Sequence, residues 1–288
     1  SSFRGDPAII LFARDIRERV ALQQRVQEQQ SLVREQNDQL LSSIRYAQRI
    51  QRAVLPEAER LQEIIPESFI LFRPRDIVSG DLYWFTEHAG RLIITAADCT
   101  GHGVPGALLS LIGASLFDEM VKEKGLLDPG AILDGARAGM IQALSKQDGT
   151  SEQQDGMNAS LVVLDRVAMT ATYAGGFAPL YLVRNGGLIE HKGDRMPIGP
   201  YMGSDRSFAT VTIPLQRGDR LYLFSDGIPD QFGGPEGKKL KSSGLKGWLL
   251  ETASFPMDDQ YQAISDRFRL WKGRHEQVDD VLLIGLQV

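Results

Sequence analysis

A chain of 288 residues with 42% hydrophobic and 24% charged side chains has the makeup of a folded protein with a sizeable core. A formal charge of -5 without a basic run argues against a nucleic-acid surface, and a single cysteine, Cys99, excludes an internal disulfide framework. No apolar stretch reads as membrane-spanning and the N-terminus lacks a secretion pattern, so a cytoplasmic location is expected.

The chain opens on Ser rather than Met, as expected of a fragment of a longer protein. Residues 8–19 (AIILFARDIRER) resemble the final strand of a PAS sensor domain running into its exit helix, with Arg17 standing where Thr or Ser is usual. Residues 1–16 are therefore expected to be the C-terminal remnant of such a domain. From Arg17 to Leu55 the chain is polar and Gln-rich, with no Gly or Pro before Pro56, which predicts one long helix. Leu22, Val26, Val33, Leu40, Ala47, Ile50 and Val54 follow alternating three- and four-residue steps, the spacing of a coiled-coil seam. Gln29, Gln36 and Ser43 interrupt that seam, so the pairing is expected to be adjustable. Residues 17–56 are read as a linker that makes a parallel homodimer and passes a sensor signal onward by rotation or register shift.

Beyond the linker, short apolar runs bounded by Gly, Pro or Asp predict strands at 68–73, 81–87, 92–97, 159–165, 169–175, 179–184, 210–214, 220–225 and 281–287. Helices are predicted at 105–124, 129–145, 244–253 and 257–271. Helices covering the faces of antiparallel sheets give an α+β layered sandwich over residues 57–288. Residues 146–154 read as a loop, and 229–243 as a flap near Asp226.

Four aspartates carry the functional signal. Asp98 ends an apolar strand and meets the turn Thr100-Gly101-His102-Gly103. Asp81 follows Ser79-Gly80 at a strand edge, Asp226 follows the strand 220–225, and Asp279 with Asp280 precedes the C-terminal apolar run. Carboxylates flanking strands converge at a sheet end, and close carboxylates repel unless a cation lies between them. Hard oxygen ligands without a matching His/Cys set point to Mg²⁺ or Mn²⁺ rather than zinc. Cys99 lacks the Cys-x5-Arg loop of thiol phosphatases and reads as a packed residue. His102 reads as a turn residue ahead of a general acid, and His88, His191 and His275 as surface residues.

Six ordered blocks, IVSGDLYW (77–84), AADCTGHGVPGAL (96–108), DGMNASLVVLD (155–165), YAGGFAPLYLV (173–183), LFSDGIPDQ (223–231) and DDVLLIGL (279–286), resemble the metal-dependent Ser/Thr protein phosphatases. The likeness is to the PPM or protein phosphatase 2C superfamily, in its bacterial SpoIIE-like or RsbU-like branch. It covers roughly residues 66–288, and SIRYAQRIQRAVLP (43–56) resembles the helix preceding that catalytic domain. The resemblance implies the αββα sandwich of the family, two Mn²⁺ or Mg²⁺ ions, and hydrolysis of phosphoserine or phosphothreonine by direct attack of a metal-bridging water.

Residue by residue, it implies that Asp81 bridges the two metals and that Asp98 reaches them mainly through water. It gives the carbonyl of Cys99 as a backbone ligand, and Asp226 and Asp279 as the remaining carboxylates, with the choice between Asp279 and Asp280 open. Asn158 stands where the branch often has Asp, so a third metal beside Asp155 stays open. No equivalent of the phosphate-gripping arginine of eukaryotic relatives is identified. The implied partner is a phosphorylated STAS-domain anti-sigma-factor antagonist. The alternatives are a catalytically weak dimeric signalling scaffold on the same fold and a general small-molecule phosphatase.

Overall fold

The computed structural model describes residues 2–3, 6–7, 17–144, 155–201 and 206–288. The predicted PAS-like strand at 8–16 and the loop at 146–154 lie outside them. Two compact units emerge, Ser1–Arg45 and Tyr46–Val288.

Helix α1 (Arg17–Val54) runs for 38 residues, as the absence of breakers requires. Within its first unit the seam residues are open to solvent: Leu22, Val26, Val33 and Leu40 are all 43% exposed or more. A short helix α2 (Glu59–Ile64), missed in the sequence, follows and buries Leu61. Among the described residues, the two main sheets of the second unit are built from β1 (Ser68–Arg73), β2 (Asp81–His88), β3 (Arg91–Cys99), β4 (Met157–Asp165), β5 (Thr170–Gly176), β6 (Leu180–Arg184), β7 (Gly187–His191), β8 (Val211–Pro214), β9 (Arg220–Phe224) and β10 (Val281–Gln287). They form two five-stranded antiparallel sheets, ordered β8-β5-β4-β3-β2 and β1-β10-β9-β6-β7.

Strand alternation explains the layering. On β9 and β10, Leu221, Leu223, Leu282, Ile284 and Leu286 join the core shared with the first sheet. Their neighbours Tyr222, Phe224, Val281 and Leu283 join a second core beneath the outer helices. Each such side chain contributes about 1.5–3 kcal/mol as an upper figure for burial. Helices α3 (Gly103–Asp118) and α4 (Pro129–Leu144) cover the first sheet. After a one-turn helix α5 (Gly227–Asp230), helices α6 (Lys241–Glu251) and α7 (Met257–Lys272) cover the second. This is the α+β, αββα sandwich expected.

Three expectations need correction. Strand β7 was not predicted: none of its residues is fully buried and exposure does not alternate along it, so only the Asn185-Gly186 turn, with φ of 51° and 76°, marks it. The segment 229–243 is no open flap. Phe232–Gly233 pairs with Lys238–Lys239, and Gly234 N–H donates to the Trp271 carbonyl at 2.8 Å on α7. Finally, Gly103–Glu123 is long and apolar enough to cross a membrane, contrary to the sequence reading. It is α3 with its terminal π-turn, and 56% of its most apolar 18-residue window is buried inside this domain, which accounts for its composition.

Candidate active site

Strands β2 and β3 pair so that Asp81 faces Asp98, and β3 pairs with β4 so that Asp98 faces Asn158. The three polar residues therefore form a row across one end of the first sheet. From the second sheet, Ser225 and Asp226 leave the end of β9 while Asp279 and Asp280 lead into β10, its neighbour. The antiparallel pairing puts both exits at the same end. Ser225 Oγ ties the sheets together: it accepts the Leu282 N–H at 3.0 Å and donates to Asp81 Oδ2 at 2.5 Å.

The turn after β3 needs glycine at two places. Gly101 has φ of +82°, in the left-handed region. Gly80 passes so close to it that an added Cβ would stand 2.5 Å from the Gly101 carbonyl oxygen. Thr100 secures the other side, its N–H donating to the Gly156 carbonyl at 2.9 Å while its Oγ1 accepts the Gly156 N–H at 3.2 Å. Between these walls lies a cleft of about 300 Å³, lined by Asp98, His102, Asn158 and Asp279 among others.

The structure separates the two adjacent aspartates that sequence left open. Asp280 is 2% exposed and its carboxylate accepts the backbone N–H groups of Arg75 and Gly80, both at 2.7 Å. It braces the loop before Asp81. Asp279 instead lines the cleft and accepts the Asp280 N–H at 2.9 Å. His102, half-exposed, sits 3.1 Å from Asp76 through Nδ1, at the cleft rim. Asp155 is half-buried.

The electrostatics are those of an acidic cluster, in which each carboxylate raises its neighbours. Asp81, 2% exposed, is held well above the ordinary carboxylate range by burial and by the charges of Asp98, Asp280 and Asp279. Asp98 is pushed up to about 8 by burial, then by Asp226 and Asp279. Asp226 is exposed as a residue, yet burial of its carboxylate and the charge of Asp279 push it up to about 6, with Lys239 opposing. Asp279 is raised too, by burial first. Among the described residues no three His, Cys, Asp or Glu side chains close on a point where one ion touches them all. The carboxylates instead stand within reach of one another's charge, spread as like charges must be. In chemical kind, carboxylates beside backbone oxygen and without a His/Cys set, these donors suit a hard divalent cation such as Mg²⁺ or Mn²⁺. Cys99, 2% exposed, cannot supply a thiolate: burial, Asp98 and Asp81 all raise its thiol.

Residues 88–288 match the family model for stage II sporulation protein E. No curated protein gave a significant match. Among solved structures, the SiaA-PP2C domain of Pseudomonas aeruginosa is 33% identical, superposes with a TM-score of 0.79, and is matched over 88% of this chain and 98% of its own. The PP2C phosphatase domain with a regulatory fragment of SpoIIE from Bacillus subtilis is 18% identical at a TM-score of 0.59, over 77% and 62% of the two chains. RsbX, solved in complex with magnesium, is 14% identical at 0.53, over 77% and 94%; these two share the fold. The protein thus belongs to the SpoIIE family, as a PP2C-type, divalent-metal-dependent protein serine/threonine phosphatase.

Proposed function

We propose that the cleft end of the sandwich binds two Mn²⁺ or Mg²⁺ ions through Asp81, Asp98, Asp226, Asp279 and the Cys99 carbonyl, and removes phosphate from a serine or threonine of a partner protein. The observation that carries this reading is the convergence of four carboxylates from both sheets at one end of the sandwich, Asp81 facing Asp98 and tied to Ser225, each held above the ordinary range by burial and by its acidic neighbours. When bound, the ions supply the countercharge for the phosphoryl oxygens and lower the pKa of water to make a nucleophile at neutral pH. Asp98 lines the cleft while Asp81 is buried and held by Ser225; both would hold the ions, with Asp81 in the bridging role that the family resemblance implies. Asp279 lies in the cleft and Asp280 outside it, which favours Asp279 as the ligand. With Cys99 sealed off, water is the nucleophile and no phosphoenzyme forms. Asn158 beside Asp98 offers a neutral amide, which weakens the case for a third ion.

The resemblance to the SpoIIE branch supports a phosphorylated STAS-domain protein as partner. The exposed apolar seam on α1, with Leu22 61% and Leu40 59% exposed, supports a parallel homodimer through that helix. A chain lacking residues 1–40 is expected to sediment as a monomer with an altered phosphatase rate; an unchanged dimer and rate would remove the helix from both roles. The main test uses para-nitrophenyl phosphate. Mn²⁺-stimulated hydrolysis is expected, with Asp226→Asn lowering the rate by more than about a hundredfold. A variant as active as the parent would sink the proposal.

A further inference from the structure

The segment between β1 and β2 has no ladder partner, yet its last residues are buried, so every backbone polar group there needs a specific acceptor or donor. Gly80 N–H is met by Asp280, and the Gly80 carbonyl accepts the Cys99 N–H at 3.3 Å. Ser79, wholly buried, turns to a glutamine 28 residues upstream. Gln51 Nε2 donates to the Ser79 carbonyl at 2.6 Å and to Ser110 Oγ at 2.9 Å, while Gln51 Oε1 accepts the Ser79 N–H at 3.1 Å. One turn earlier Gln48 Nε2 donates to the Ile77 carbonyl at 2.6 Å. Gln51 itself is 4% exposed.

We infer that Gln51 is a positioning residue for the metal centre: by gripping both backbone groups of Ser79 and the Ser110 hydroxyl of α3, it fixes the peptide that aims Asp81. Gly80 has no side chain to hold that peptide, and Asp81 comes next. An aliphatic side chain at 51 fills similar space but leaves the buried Ser79 N–H without a partner and the Ser79 carbonyl with only the Ser110 hydroxyl at 3.4 Å, which favours a shift of the loop. Displacing the support of a ligating carboxylate weakens metal affinity by about 10–100-fold. The last turn of α1 thereby becomes part of the site's architecture rather than a mere tether. The inference rests on the proposed role of Asp81 and adds a residue that touches neither metal nor substrate.

The test measures Mn²⁺ binding by calorimetry, with no substrate present, on the full chain. Gln51→Leu is expected to weaken binding by about tenfold or more. Gln51→Glu, which retains an acceptor for the Ser79 N–H but loses the donor to its carbonyl, is expected to fall between Gln51→Leu and the parent. It also serves if Gln51→Leu fails to fold. Gln260→Leu provides the contrast: Gln260 is equally buried, bonded to Tyr222 and Thr252 beneath α7, and its loss should lower the melting temperature without moving Mn²⁺ affinity. If the parent chain takes up no Mn²⁺, the metal reading falls and this assignment with it. If the parent binds and the folded Gln51 variants bind within about twofold of it, the assignment alone is overturned.

Discussion

Strand β9 carries an aspartate outside each end, and the two are treated oppositely. Asp219, immediately before Arg220, is 2% exposed but fully provided for. Arg184 grips both its oxygens, with Nε donating at 2.8 Å and Nη2 at 2.5 Å, and the Gln216 N–H donates at 2.8 Å. Burial alone pushes the carboxyl up, but these bonds and the guanidinium charge outweigh it and hold Asp219 below the usual range. Asp226, beyond the other end, meets Asp279 and Asp98 instead and is held above that range. The lesson is that burial does not mark function. An aspartate supplied with its own cation is a structural clasp, and one left among other aspartates is a demand for a cation that the chain does not encode.

The sharpest way to break this contrast is to neutralise one carboxylate of the cluster and the one that Arg184 clasps. Asp98→Asn is expected to abolish Mn²⁺-stimulated turnover, a loss exceeding about a hundredfold, while leaving the metal-free fold as stable as before or more so. Asp219→Asn should do the reverse. It strands the Arg184 guanidinium, whose side chain is 23% exposed, and is expected to cost about 2–3 kcal/mol in chemical denaturation, with turnover per folded molecule unchanged. Equal effects of the two substitutions on turnover would dissolve the distinction.

A gentler probe is pH. Asp98 at about 8 and Asp226 at about 6 hold protons in the fold that the unfolded chain releases near about 4. Between those values the native state binds more protons, so the slope of stability against pH is negative. Metal-free protein is therefore expected to lose melting temperature as pH rises from about 4 through 6 toward 8, on top of whatever other groups contribute. Saturating Mn²⁺ should cancel or invert that slope, because the cation binds the ionised carboxylates. Parallel melting curves with and without metal would show that the cluster is not where the ions act.

Much of this was legible before any coordinates. Strands 68–73 and 281–287 fall where apolar runs bounded by polar residues put them, and the four aspartates flank strands that do meet at one sandwich end. What stayed hidden depends on contacts across long sequence separations. Nothing local distinguishes Asp280 from Asp279; the difference lies in two N–H groups about 200 residues away. Ser225 reads as a strand end until Asp81 is found against its hydroxyl. Gln51 looks like one more polar residue in a Gln-rich helix, since only its burial sets it apart. Gly103–Glu123 misleads in the other direction, because a helix enclosed by its own domain acquires the composition of one enclosed by lipid.

Cys99 carries a practical consequence of its own. It is the chain's sole thiol, shielded from solvent, and follows directly after Asp98. Labelling by a maleimide or disulfide reagent must therefore wait for the β3 terminus to open, and the labelling rate becomes a clock for that local event. Ions that knit the two sheets together should slow the clock, which makes one unreactive sulfur a built-in gauge of occupancy.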